Sequence, residues 1–123
     1  MSLNQPKASP GNSNHRIPTV TSSTFKPLVL EGTGPIAVEF MSYGCGYCRA
    51  IEPLLQQVAE TIRDDETIFR VDITADPDLA SEYEVSGTPT FVMFLNGQEV
   101  GRADGPNPDL QSVMDAVTGP FVS

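Results

Sequence analysis

Cys45-Gly46-Tyr47-Cys48 brings the only two cysteines of this 123-residue chain within two residues of each other. A run of strand composition, Pro35-Ile36-Ala37-Val38-Glu39-Phe40-Met41, leads into the pair. A run of helix composition, Arg49-Ala50-Ile51-Glu52-Pro53-Leu54-Leu55, leads out of it. A Cys-x-x-Cys where a strand hands over to a helix points to a redox dithiol. The unpaired N–H groups and the dipole of a helix N-terminus favour a thiolate on the first cysteine. The short spacer keeps the sulfurs close enough for a small, breakable disulfide.

Two other uses of the pair fare worse. A structural zinc site takes four ligands from Cys, His or carboxylates, and the chain has no third cysteine and a single histidine, His15, in a polar segment. A structural disulfide closing so small a ring removes little entropy from the unfolded chain. No Gly-rich phosphate loop or cofactor motif is visible. The expected redox group is therefore the Cys45–Cys48 disulfide itself, with no added cofactor and no metal.

The length suits one domain able to bury a core without staples. Residues 1–18 are rich in Asn, Ser and Pro, with only Leu3 and Ile17 as sizeable aliphatics. They read as a disordered polar leader ahead of a folded domain over 19–123. No stretch has the length and apolarity of a membrane span or of a signal-peptide core. The expectation is cytoplasmic, the alternative an extracytoplasmic site reached with a targeting segment since removed. A net charge of −9 argues against nucleic-acid partners. Much of it falls between Glu52 and Glu84, including Asp64-Asp65-Glu66, which reads as a solvated loop.

These chemistry-bearing residues need a frame, and the pattern supplies one. Thr19-Val20-Thr21 is expected as a short edge strand. Ser22-Ser23-Thr24 offer caps for a brief helix through Leu30, made irregular by Pro27. Ile36 to Met41 is apolar on both faces apart from Glu39, the mark of a buried central strand. Ile51, Leu54, Leu55, Val58 and Ile62 recur at helical spacing, with Pro53 interrupting. Thr67 to Ile73 alternates as a strand. Asp76-Pro77 opens a short helix to about Tyr83. Thr90–Leu95, the Asn96-Gly97 turn and Gln98–Arg102 read as a hairpin. Asn107-Pro108 caps a last helix through Val117, and Gly119-Pro120 ends it. The order β-α-β-α-β-α-β-β-α implies an α/β fold, a mixed sheet with helices on both faces.

With these elements in register, the sequence resembles the thioredoxin family from about Thr19 to Val117. The resemblance rests on Val38-Glu39-Phe40, the CGYC site, Pro53 five residues past Cys48, Gly87-Thr88-Pro89-Thr90, the Asn96-Gly97 turn and Gly105 before the last helix. It implies the thioredoxin fold and a role for each residue. Cys45 matches the exposed attacking cysteine and Cys48 the buried resolving one. Pro89 matches a cis-proline facing the dithiol, and Thr88 the residue whose backbone pairs with an extended substrate. Gly105 either leaves room for substrate beside Pro89 or serves only as a turn glycine. Tyr47 joins this substrate surface. Glu39 matches a buried carboxylate with a raised pKa that acts on Cys48 as general base; the competing reading is a satisfied strand carboxylate.

The chain also departs from the pattern. Typical members carry Asp where Glu39 stands, Trp at Gly44, Pro at Tyr47 and Ile at Thr88. The lysine that often accompanies the buried acid is expected to be replaced by Ile68. These departures resemble disulfide isomerases and oxidases of the same fold. Without proline at Tyr47, one more backbone N–H is free near the helix start to stabilise the Cys45 thiolate. Arg49 either adds positive charge there or is merely solvated. Lowering a thiol pKa from about 8.5 to about 6.5 stabilises the reduced form at pH 7 by about 0.8 kcal/mol, roughly 20 mV. The expected potential is accordingly intermediate, more oxidising than a typical thioredoxin's.

The resemblance implies a protein-disulfide oxidoreductase that exchanges its dithiol with protein thiol and disulfide substrates. Electrons would come from another protein, such as a thioredoxin-reductase-like enzyme, and the chain is expected to act as a monomer. The alternatives are an extracytoplasmic isomerase or oxidase, and a non-catalytic binding module that kept the fold.

Overall fold

Alternation along a central strand decides which side of the sheet each residue serves. The structure, a computed structural model, describes residues 17–62 and 66–121. Its sheet is built from β1 (Pro35–Met41), β2 (Thr67–Asp72), β3 (Thr90–Leu95) and β4 (Gln98–Asp104), in the spatial order β2-β1-β3-β4. β1 pairs parallel with β2 and antiparallel with β3, and β3 pairs antiparallel with β4. Ile36, Val38 and Phe40 join Phe69, Val71, Val92 and Phe94 in one buried cluster. Ala37 joins Ile68, Phe91 and Met93 in the other.

Each cluster is closed by its own helices. Helix α1 (Gly46–Thr61) buries Ile51, Leu55 and Val58, and helix α3 (Leu110–Thr118) buries Val113, Ala116 and Val117, all on the Ala37 side. Helix α2 (Pro77–Glu82) contributes Leu79 to the opposite side, where Phe25 and Val29 come from a π-helical turn over Lys26–Leu30. Full burial of such aliphatic and aromatic side chains contributes about 1.5–3 kcal/mol each. The mixed sheet with helices on both faces is the expected α/β architecture. No helix among the described residues is long and apolar enough to cross a membrane.

Several local expectations change. The strand expected over Thr19–Thr21 is a single parallel bridge between Thr19 and Arg70. The next turn closes wide, Glu31 N–H reaching Lys26 O at 2.9 Å, and Pro27, which has no N–H to donate, sits in its first positions, where none is needed. Asp76 does not cap α2 with its side chain; Oδ1 instead accepts from Ser22 N–H and Ser22 Oγ, at 3.0 and 2.7 Å. The cap of α3 is Asp109, which accepts from Ser112 N–H at 2.8 Å, two residues past the expected start at Asn107. After Thr118 the chain continues as a 3₁₀ turn over Gly119–Phe121. The leader expected over 1–18 and the Asp64-Asp65 part of the acidic loop lie outside the described residues, except Ile17 and Pro18. Ile17 is buried in the α1–α3 cluster, and Pro18 O accepts from Arg70 N–H. The packed part therefore takes in these last two leader positions.

Candidate active site

The parallel strand β1 ends at Met41 and delivers the chain into the turn before α1. Cys45 N–H donates to Ser42 O, and Cys45 then becomes the N-cap of α1. Its sulfur accepts from the Cys48 backbone N–H at 3.1 Å, taking the place a Ser or Asp oxygen holds in an ordinary cap. Cys45 is partly exposed and Cys48 buried, and the two are unbridged. The first thiol is thus the more accessible of the two, and the second is covered.

Their electrostatics differ. Burial pushes the Cys45 thiol up, but hydrogen bonds from Cys48, Thr88 and the backbone of Cys48 and Tyr47 outweigh it and leave it below the usual thiol range. Burial pushes Cys48 up to about 11, helped by its hydrogen bond with Cys45. One thiol is thus primed to ionise first, and the other holds its proton. The Tyr47 N–H expected to help does so. The Arg49 guanidinium donates to Tyr43 O at 3.0 Å.

Opposite the dithiol, the Thr88–Pro89 peptide bond is cis. Pro89 is buried and Thr88 partly so, and the Cys45 thiol lies 3.6 Å from Thr88 O as its donor. Gly105 has φ +54°, a left-handed backbone that favours glycine. A Cβ there would meet Tyr47 only at ordinary contact distance, so the turn conformation accounts for this glycine. Gly105 N–H donates to Pro89 O at 2.9 Å. Tyr47 Oη donates toward Gly105 O and Pro106 O, at 3.1 and 2.7 Å. Cys45, Tyr47, Thr88, Pro89 and Gly105 are therefore brought together as one rim, with Tyr43 and Tyr47 presenting 57% and 40% exposed rings.

Glu39 lies on the Ala37 side of β1 and is fully buried. Neither carboxylate oxygen has a hydrogen-bond partner among the described residues. Burial raises it to about 8, against an opposing pull from Arg70 and with smaller raising effects from Glu52 and Cys45. A carboxyl poised there is suited to exchange a proton near neutral pH. The expectation about its cation needs correction. Ile68 pairs with Ala37 in the register, whereas Glu39 pairs with Arg70, whose Nε lies 4.0 Å from Glu39 Oε1. Counting strand register, with Arg70 the only basic residue in β2, would have found this partner. Arg70 Nη2 donates to Glu52 Oε2 at 2.8 Å, a second residue the sequence reading missed. A cleft of about 210 Å³, lined by Met41, Tyr43, Cys48, Arg49, Glu52 and Arg70, opens on this side of Cys48. Among the described residues no group of three or more His, Cys, Asp or Glu is placed to hold a metal ion.

Comparison with known proteins agrees with this geometry. The Thioredoxin family model matches residues 16–116. Thioredoxin 1 of Synechococcus elongatus is 34% identical over 98 residues, covering 78% of this chain and 92% of that protein. A bifunctional thioredoxin reductase/thioredoxin of Mycobacterium leprae is 34% identical over 86 residues, 70% of this chain but 19% of that protein. Among solved structures, the thioredoxin of Malassezia sympodialis superposes with a TM-score of 0.74 at 26% identity, covering 86% of this chain and 91% of that one.

Proposed function

The chain belongs to the thioredoxin family and is a thiol-disulfide oxidoreductase, and from that premise we propose that it reduces disulfides in extended protein clients through Cys45 and Cys48. The observation that carries this reading is the split between the two thiols, the exposed one lowered and the buried one raised to about 11. The Cys45 thiolate attacks one sulfur of the client disulfide; a Cys45–client bond forms, the client S–S bond breaks, and the departing client thiolate takes a proton from water. Cys48 then gives its proton to the Glu39 carboxylate and attacks Cys45 Sγ. The Cys45–Cys48 disulfide forms and the second client thiolate leaves. Two electrons have passed to the client.

The rim of exposed Tyr43 and Tyr47 and half-buried Thr88 suits a polypeptide held by backbone pairing rather than a single side-chain sequence. The dithiol must then be restored by a protein donor of the thioredoxin-reductase class. The bifunctional relative, whose name joins a reductase to a thioredoxin, supports that donor.

The test uses the full chain in reduced form with a disulfide-bonded protein such as insulin. Reduction is expected from the unsubstituted protein and none from Cys45→Ser. Cys48→Ser is expected to accumulate a mixed disulfide with the client. Absence of both turnover and trapping would leave a binding module in place of an enzyme.

A further inference from the structure

Cys48, Glu52 and Gln56, four residues apart, lie on one stripe of α1, and Glu52 among them acts on the buried carboxyl of Glu39. Glu52 is in contact with Arg70, whose Nη2 donates to its Oε2 at 2.8 Å, and Gln56 Nε2 donates to that same oxygen at 2.7 Å. The Glu52 side chain is 29% exposed and the Arg70 side chain 5%. Glu39, wholly buried, is the register neighbour of Arg70 on the next strand, yet the closest approach of their charged atoms is 4.0 Å. Arg70 Nε and both Glu39 oxygens have no hydrogen-bond partner among the described residues.

This is an unusual division of one cation between two acids. A buried guanidinium beside a buried carboxylate ordinarily forms a direct, often two-pronged pair, because leaving either group unpaired in a dry interior is costly. Here the direct hydrogen bond goes to the acid that water reaches, and the dry acid is left without one. The cleft beside Cys48 is lined by both members of the direct pair, Glu52 and Arg70.

We propose that Glu52 is a positioning residue that holds the Arg70 guanidinium at arm's length from Glu39, so that the buried carboxyl beside the dithiol stays without a direct hydrogen bond to it. The proposal rests on the reading of Glu39 as the group that exchanges a proton with Cys48. Arg70 freed from Glu52 keeps its side-chain contact with Tyr43 and has Glu39 as its adjacent carboxylate. A direct pair would favour the ionised carboxylate and draw it back toward the ordinary carboxylate range. A carboxylate locked in such a pair is a weaker base, and Cys48 is a thiol whose proton is hard to remove.

The groups that act on Glu39 come from defined places. β2 brings Arg70, and α1 brings Glu52 and, at its cap, Cys45. β3 sets Phe91 opposite Glu39 in the register, and the buried residues of α3, Val113, Ala116 and Val117, are apolar. Glu52 acts on Glu39 in two ways, by its negative charge and by its grip on Arg70, and the two are separable. Glu52→Ala removes both. Glu52→Gln removes the charge but keeps an oxygen that accepts from Arg70 Nη2. Position 52 is a partly exposed helix site, so either variant is compatible with the fold.

The experiment is a carboxyl-carbon NMR titration of Glu39 in the full reduced chain, its resonance assigned by its loss in Glu39→Gln. In Glu52→Ala the Glu39 midpoint is expected to fall by at least about one pH unit, a tenfold change in acid constant. In Glu52→Gln the fall is expected to be less than half as large. An unchanged midpoint in Glu52→Ala overturns the proposal. So does an equal fall in the two variants, which would reduce Glu52 to a distant charge. The mechanism of Glu39 itself is judged separately: if Glu39→Gln leaves the rate of client release from the Cys45 mixed disulfide unchanged, that reading fails whatever the titration shows.

Discussion

The hydroxyl of Tyr47 donates to Pro106 O at 2.7 Å, tying the second of the two residues between the cysteines to the loop that leads into α3. Tyr47 therefore serves the site twice, through its side chain at the rim and through its backbone N–H at the Cys45 sulfur. The two contributions come apart by substitution. Tyr47→Pro removes the N–H at a first-turn position where proline is tolerated. It is expected to raise the ionisation midpoint of Cys45, by less than loss of the Cys48 contacts would, because the Tyr47 N–H is the smallest of the lowering contributions. Tyr47→Phe keeps the N–H and is expected to leave that midpoint in place. Ultraviolet thiolate absorbance against pH reads both.

The hairpin turn offers a test of how the scaffold is held. Gly97 has φ +82°, and a Cβ there would land on the backbone oxygen of Leu30, at the end of the π-helical turn. Gly97→Ala combines left-handed strain with a collision against an atom that cannot rotate away, and is expected to cost more than about 2 kcal/mol. Gly119→Ala is the control. Gly119 has φ −47° and no atom beyond its chain neighbours near its Cβ direction, and the gain from a stiffer unfolded chain is offset by Pro120, which disfavours a Cβ on the helical residue before it, so alanine there is expected to change stability by less than about 1 kcal/mol. Urea unfolding of the two variants measures the contrast.

What was legible in the sequence was local and periodic. The CGYC pair, the apolar run of β1, the helical spacing from Ile51 to Val58 and the Asn96-Gly97 turn each declare their element through residues close in the chain. The cis bond at Pro89 came from resemblance alone, since nothing about an isolated Thr-Pro distinguishes it. What was missed needs two elements at once. Arg70 is one basic residue in a strand until the parallel register sets it beside Glu39. Glu52 is an ordinary helix carboxylate until α1 lies across β2 and brings it within 2.8 Å of that guanidinium. Asp76 stands at the N-cap of α2 as its sequence implies, but Ser22, brought to it by the fold, takes the carboxylate that would otherwise cap the helix.

Glu39 makes stability depend on pH in a direction opposite to that of most carboxylates. Folding raises it from 4.5 to about 8. Between those values the folded protein holds a proton that the unfolded chain has lost, so stability falls as pH rises. The contribution vanishes below the unfolded value and saturates above the folded one. From about pH 5 to about pH 7.5 the loss amounts to about 3 kcal/mol. Glu39→Gln has no such proton, so its stability relative to the unsubstituted protein is expected to rise by that amount over the same interval. The measurement is urea unfolding of both proteins with the Cys45–Cys48 disulfide formed, so that neither thiol titrates. A difference independent of pH would mean that Glu39 ionises as readily folded as unfolded.

The direction of electron flow follows from how far the site stabilises the Cys45 thiolate. Each increment of that stabilisation favours the dithiol over the disulfide and makes the pair more oxidising. The hydrogen bonds to Cys45 from α1, the Tyr47 N–H among them, act in that sense. Their reach is limited, because a thiol lowered by about two units stabilises the reduced form at pH 7 by only about 0.8 kcal/mol, roughly 20 mV. Titration against glutathione redox buffers is therefore expected to place the pair above about −270 mV, a typical thioredoxin value, and below about −180 mV, that of a disulfide isomerase. Tyr47→Pro is expected to move it toward the lower limit. A potential at or below about −270 mV overturns the thiolate argument while leaving reduction as the direction of travel. A potential above about −180 mV means that the reduced state gains more than one thiolate supplies, and turns the pair toward oxidation of its clients.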